Sequence, residues 1–190
     1  MQHGDDYASD VETLPDGRVR IRVTYLEMRE KPTEVVAPPD DRPVAILHLR
    51  QPTLSYYRYL YETVGRPWGW TTRDEQSDEQ VLEIIQHPDT EIHVLHVDGV
   101  PAGFAELDFR GRPDVELIFL GMVPEFIGQR WGPVLLSHAV EAAWACRPER
   151  FWLHTCNLDH PKAVAVYERA GFVQYKEAFK VRDDPRKVMT

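Results

Sequence analysis

The chain has 190 residues, enough for one domain of usual size with a real core. Apolar residues make up 43% and charged residues 28%, the balance of a globular protein. The net charge of −9 and the pI near 5.3 repel a phosphate backbone, so nucleic acid is not an expected partner. Two cysteines ten apart, Cys146 and Cys156, make neither a CxxC pair nor a disulfide framework. The acidic start, MQHGDDYASDVETLPDG, lacks the basic and apolar regions of a signal peptide. No apolar run approaches the ~20 residues of a membrane span. These features predict a cytoplasmic protein with no membrane partner.

Residues 1–17 are expected to be a flexible arm, and 18–190 a single domain. In 18–28, Val19, Ile21 and Val23 alternate with arginines, the pattern of a half-buried strand. The proline-rich stretch 29–43 predicts a loop, and VAILHLR a strand. Pro52 and Thr53 open a helix that Gly65 closes. RPWGW is expected to be a turn exposing two tryptophans. In SDEQVLEIIQH, Ser77 and Gln80 have capping-box spacing, and Pro88 ends the helix.

The second half is more regular. Asp98-Gly99 joins two strands as a hairpin. DVELIFLGMVP is apolar on both faces, as a central strand is. PVLLSHAVEAAWA is a helix with Leu135, Leu136, Ala139, Val140 and Ala143 inward. RFWLHTC is a strand. HPKAVAVYERAG is a helix with Pro161 at its first position and Gly171 past its end. FVQYKEAF closes the series. This order predicts an α/β fold, a mixed sheet with helices packed on it.

Between the central strand and its helix lies PEFIGQRWGPVLL. A glycine-containing turn at a helix N-terminus presents backbone N–H groups and a favourable dipole to a phosphate. The run 114–175 resembles the GNAT superfamily of acyl-CoA-dependent N-acyltransferases. That family carries Arg/Gln-x-x-Gly-x-Gly/Ala at this turn, and the stretch aligns without gaps. Ile127 takes the place of the first Arg/Gln, Arg130 that of the middle Gly, and Gly132 matches the last. A second block, Asn-x-x-Ala-x-x-x-Tyr-x-x-x-Gly-Phe, is matched by Ala163, Tyr167, Gly171 and Phe172, with His160 in the Asn place. The resemblance covers roughly residues 90 to 178. The first half agrees only in element order.

The resemblance implies a single-domain, mostly antiparallel mixed sheet with a splayed central parallel pair. It implies acetyl-CoA as co-substrate, with Gly121, Met122, Val123, Gly128, Gln129, Arg130, Trp131 and Gly132 around it. Asn157 is a candidate for the amide that His160 replaces. Ile127 cannot donate to a phosphate, whereas the Arg130 guanidinium can clamp one. Pro133 lacks an N–H, in a turn where that group can go unused.

Acyl transfer to an amine has a proton problem. An alkyl ammonium with pKa ~10.4 is only about one part in a thousand neutral at pH 7, roughly 4 kcal/mol uphill. A base is therefore useful, and a donor near the thiolate. Glu116, Glu106 and His154 are the candidate bases. Tyr167 is the candidate acid, by resemblance. Tyr57, Tyr61, Trp68 and Trp70 either wall the acceptor site or fill the core, and Glu106 either joins that wall or sits on a solvated hairpin face. An aromatic, acidic pocket suits a cationic amine. No metal site is expected, since His93 and His96 fall on opposite strand faces and Cys156 with His160 is half a site.

The expected activity is acetyl transfer to a primary amine of a small molecule or peptide, by a monomer or homodimer. The alternative is a non-catalytic module that binds acyl-CoA or a partner.

Overall fold

The computed structural model describes residues 11–188. Twelve main elements follow in order: β1 (Glu12–Thr13), β2 (Val19–Met28), β3 (Val44–Leu49), α1 (Leu54–Gly65), α2 (Asp78–Ile85), β4 (Thr90–Val97), β5 (Val100–Asp108), β6 (Asp114–Met122), α3 (Trp131–Trp144), β7 (Arg150–Cys156), α4 (Ala163–Arg169) and β8 (Val173–Arg182). The strands form one sheet in the order β1-β2-β7-β6-β5-β4-β3, with β8 also paired to β2. Only β6 and β7 run parallel. The expected mixed, mostly antiparallel sheet with a central parallel pair is therefore present. No helix among the described residues is long and apolar enough to cross a membrane.

Local chemistry explains most elements. Asp98 and Gly99 both have positive φ, 53° and 78°, as the tight hairpin between β4 and β5 requires. Ser77 accepts from the Gln80 N–H, and the Gln80 side chain accepts from the Ser77 N–H, so the capping box on α2 is complete. Val19, Ile21 and Val23 of β2 are buried while Arg20 and Arg22 are exposed.

One sheet face is covered by α3, whose Leu135, Leu136, Ala139, Val140 and Ala143 meet Leu95, Leu107, Val115 and Leu117. The partly buried Val164, Val166 and Tyr167 of α4 pack against the same cluster. On the other face α1 and α2 set Tyr57, Leu60, Tyr61, Val64, Val81 and Ile85 against Ile92, Val94 and Phe104.

Three expectations need correction. Residues 1–10 of the expected arm lie outside the described residues. Beyond them, order begins before residue 18: Val11 is buried, and Glu12 and Thr13 pair with Arg20 and Val19. The cause is a Pro-Asp-Gly turn, in which Gly17 takes φ 81° and donates to the Leu14 carbonyl. Helix α4 begins at Ala163 rather than Pro161, because residues 160–162 form a turn in which the Lys162 N–H donates to His160 Nδ1.

The third concerns Glu106. It does not lie on a solvated hairpin face, because β5 is buried on both sides from Ala102 to Leu107. Its side chain is 1% exposed and ion-paired to Arg73. The Tyr57 hydroxyl donates to Glu106 Oε2 at 2.6 Å and accepts from Arg73 Nε at 2.9 Å. Burial, then the neighbouring carboxylate, push the Tyr57 pKa well above the ordinary phenol value, so it stays a donor. The Tyr61 hydroxyl accepts from the Arg73 N–H at 3.1 Å. Tyr57, Tyr61 and Glu106 thus form a buried lock between α1, the segment after it and the sheet.

Removing one partner of a buried ion pair leaves the other charge uncompensated. Glu106→Ala should therefore lower unfolding stability in urea by about 3–5 kcal/mol. A loss under ~1 kcal/mol, the range of exposed pairs, would show that Arg73 finds solvent or another partner.

Candidate active site

Strands β6 and β7 are paired only from Asp114 with Arg150 to Leu117 with Leu153. Against β5, Leu117 stands opposite Leu107 and Phe119 opposite Glu106, so Ile118 is an extra residue. This bulge turns β6 away just where its pairing with β7 stops. A cleft of about 660 Å³ opens between the parted strands. That volume lies in the range of small-molecule sites. Its walls come from β6, the turn before α3, β7, the start of α4, β8, and the segment 68–72 after α1.

At one end is the turn before α3. Gly128 has φ 82° and Arg130 φ 69°, and the helix begins at Trp131. Arg130 thus holds the left-handed conformation that a glycine adopts freely, at a cost of roughly 1–2 kcal/mol. It brings a guanidinium to the turn. Arg130 is exposed and lines the cleft with Gly128, Gly132 and Pro133. Two expected neighbours do not line it. The Gln129 amide donates to the Glu125 carbonyl at 2.6 Å and accepts from Arg42 at 2.9 Å. Trp131 is fully buried in the core, with the Arg42 guanidinium 5.3 Å from its ring centre.

Along the β6 wall, Gly121 and Met122 face the cleft. Val123 does not: it is buried, and its N–H donates to the Ala102 carbonyl at 2.9 Å. A Cβ on Gly121 would meet Val64 Cγ1 at 2.4 Å, so β6 sits hard against α1.

Opposite stands Tyr167 on α4. Its ring packs edge-on against Phe172 at 6.0 Å. Burial, then the Asp159 carboxylate, raise its pKa above the ordinary value, so it stays protonated at neutral pH. Asp159 is a cleft residue that sequence reasoning missed. It accepts from Thr155 Oγ1 at 2.7 Å, from the Cys156 N–H at 2.9 Å and from Trp70 Nε1 at 3.2 Å. The only signal was an Asp just after a strand, a residue type that ties turns to backbone donors.

Asn157 is not at the cleft. Its Oδ1 accepts from the Arg22 N–H at 2.9 Å, and its own N–H donates to the Arg22 carbonyl at 3.1 Å. It clips the end of β7 to β2.

Two of the three candidate bases are brought together. His154 lines the cleft, and its Nδ1 lies 3.3 Å from Glu116 Oε1. Glu116 stands behind it, outside the cleft lining. Tyr25 and Trp152 stack beside the imidazole, at 5.8 and 6.4 Å. Glu106 does not line the cleft and is held in its lock with Arg73.

The remaining wall is aromatic and charged. Trp68 and Trp70 line the cleft, whereas Tyr57 and Tyr61 lie buried beneath it. Trp68 meets His160 edge-on at 5.3 Å. Burial, then Lys162, lower the His160 pKa, which favours its neutral form. Burial, then Asp159, push the Cys156 thiol up to about 12, so almost no thiolate exists at pH 7. Arg130, Lys162, Lys180 and Arg182 bring cations to the cleft, against Glu75 and Asp159. An acidic protein thus has a locally basic pocket suited to an anionic ligand.

These features agree with the comparisons to known proteins. The chain resembles a structure of a functionally unknown conserved protein from Staphylococcus epidermidis at 16% identity and TM-score 0.62, over 89% of this chain and 64% of that one. It resembles a GCN5-related N-acetyltransferase from Kribbella flavida at 17% identity and TM-score 0.57, over 86% and 59%. It also resembles the ribosomal-protein-S18-alanine N-acetyltransferase from Escherichia coli at 19% identity and TM-score 0.57, over 70% and 80%. At such identities the likeness is one of fold. The chain spans less than two thirds of the length of the first two. No curated protein matches it significantly. A sequence model described as the acetyltransferase (GNAT) family matches residues 57–172, more than half of the chain. The protein belongs to the GNAT acetyltransferase family.

Proposed function

We propose that the protein moves an acetyl group from acetyl-CoA to a primary amine of a small molecule or peptide, by direct attack in the β6/β7 cleft. The observation that carries this reading is the parting of the two strands. It leaves β6 from Phe119 to Met122 without a β7 partner, beside a glycine-containing turn at the start of a 14-residue helix. The turn at 128–133 and the Arg130 guanidinium suit a diphosphate. The backbone at Gly121 and Met122 suits the pantetheine amides and the thioester carbonyl, whose developing charge needs an N–H donor. Four cations in a protein of net charge −9 support an anionic co-substrate. Trp68 and Trp70 with Glu75 and Asp159 suit the ammonium form of the acceptor. The two free cysteines fit a reducing cytoplasm.

The Cys156 thiol, held protonated, argues against an acyl-cysteine intermediate and for direct transfer. His154 takes a proton from the amine, directly or through water. Glu116 is a positioning residue, its Oε1 3.3 Å from the imidazole Nδ1. As the C–N bond forms, the C–S bond breaks, and Tyr167 donates a hydrogen bond to the departing thiolate.

This assignment orders two variants. With steady-state thiol release measured over a panel of amines, His154→Ala should lose about 10²-fold or more in kcat at pH 7. Glu116→Gln should lose less, roughly tenfold, with CoA affinity kept. Both deficits should shrink as pH rises, because a deprotonated amine needs less help. A larger loss in Glu116→Gln than in His154→Ala would make Glu116 the base.

Tyr167→Phe keeps the ring against Phe172, so thermal stability should change little. Turnover should fall at least about tenfold, at the weak end of general-acid contributions. Thioesters with a more acidic thiol should be less sensitive. Wild-type activity in Tyr167→Phe would remove the hydroxyl from the mechanism, and unfolding would make it structural.

A further inference from the structure

A second cluster of chemistry-bearing side chains lies away from the cleft. His48 on the edge strand β3 and His93 on β4 are direct cross-strand partners. Their rings stack at 4.8 Å with 26° between planes. Glu91, two residues before His93, shares its strand face, and Glu91 Oε2 lies 2.9 Å from His93 Nε2. One ligand atom each from His48, Glu91 and His93 lies within 4.8 Å of the others. From α3, His138 closes the opposite side, with its Nε2 3.0 Å from His93 Nδ1. None of the four lines the β6/β7 cleft. Their face of the sheet is otherwise the apolar one beneath α3, with Leu95 and Val97 on the same strand.

With a neutral His93 the hydrogen-bond chain has two consistent states. In one, His138 Nε2–H donates to His93 Nδ1, and His93 Nε2–H donates to Glu91. In the other, His93 Nδ1–H donates to His138, and its Nε2 lone pair faces the Glu91 carboxylate. Two acceptors at 2.9 Å repel unless a cation lies between them. The second state is therefore the one a metal ion selects. His138 then has the place of the outer partner that metal-bound imidazoles usually have, fixing tautomer and ring.

We propose that His48, Glu91 and His93 form a Zn²⁺ site, with His138 as the hydrogen-bonded support of His93. Two imidazoles and one carboxylate suit a borderline metal, whereas Mg²⁺ and Ca²⁺ prefer oxygen ligands throughout. Bonds of ~2.0–2.1 Å in a tetrahedron set donors roughly 3.4 Å apart. The exposed His48 side chain, at the sheet edge, makes the remaining adjustment by moving toward His93 and Glu91. A fourth position stays open to water on that side. The bound ion joins β3 to β4, and through His138 to α3.

The test is calorimetric titration of the full chain, first treated with chelator, with ZnSO₄ and in parallel MgCl₂. The wild type should bind one Zn²⁺ per chain, gain roughly 5 °C or more in Tm at a hundredfold excess over Kd, and show no heat with Mg²⁺. His48→Ala and Glu91→Gln should each bind at least tenfold more weakly. His48 is exposed, so His48→Ala should fold as the wild type does by circular dichroism. If it does not, Glu91→Gln decides alone. His138→Ala should keep one-to-one stoichiometry with affinity about 10–100-fold lower. No Zn²⁺ binding by the wild type, or equal binding by Glu91→Gln, overturns the proposal.

Discussion

The parting of β6 from β7 beyond Leu117 and Leu153 is the constraint on which the rest of the structure depends. A parallel pair in mid-sheet leaves no free backbone groups while it lasts. Once the Ile118 bulge separates the strands, β6 has donors and acceptors facing a cleft instead of a neighbour. Such groups need a partner, and an extended ligand with amides of its own can supply it. The sheet opens without unravelling because β6 remains paired to β5 through Met122, and β7 to β2 through Cys156.

The floor of the opening is held by close packing around Trp70. A Cβ on Gly65 would meet the Trp70 ring at 2.4 Å, and Gly121 faces both Val64 and Trp70. The indole N–H then reaches Asp159 across the cleft. One side chain thereby connects α1, β6 and the loop before α4. Beneath it, Arg73 is fastened to Tyr57 and Glu106. This wall of the cleft is thus set by core packing on one side and a buried ion pair below.

What was legible in the sequence was what local chemistry decides. The Ser77–Gln80 capping box, the Asp98-Gly99 hairpin and the alternating β2 face all form as expected. The cleft ends were legible through Gly128, Gly132 and Tyr167, positions singled out by the family resemblance. Other features depend on which strand lies beside which. Glu106 looked solvated because GFAELDF alternates, yet both faces of β5 are covered. Its partner Arg73 lies in a loop with no periodicity. His48 and His93 are 45 residues apart, so only the β3/β4 register brings them together. Val123, Gln129, Trp131 and Asn157 were assigned by motif position. Each is engaged elsewhere, by the Ala102 carbonyl, Arg42, the core and Arg22 respectively.

Arg130 stands where the family motif has a glycine. Its φ of 69° puts it in the left-handed region. The guanidinium offers what a glycine cannot, and a diphosphate facing the α3 N-terminus would engage it. Calorimetric titration with acetyl-CoA tests this most directly. The account predicts one-to-one binding by the wild type and at least about tenfold weaker binding by Arg130→Glu, a loss of roughly 1.4 kcal/mol. No binding by the wild type at millimolar acetyl-CoA would contradict the account at its centre.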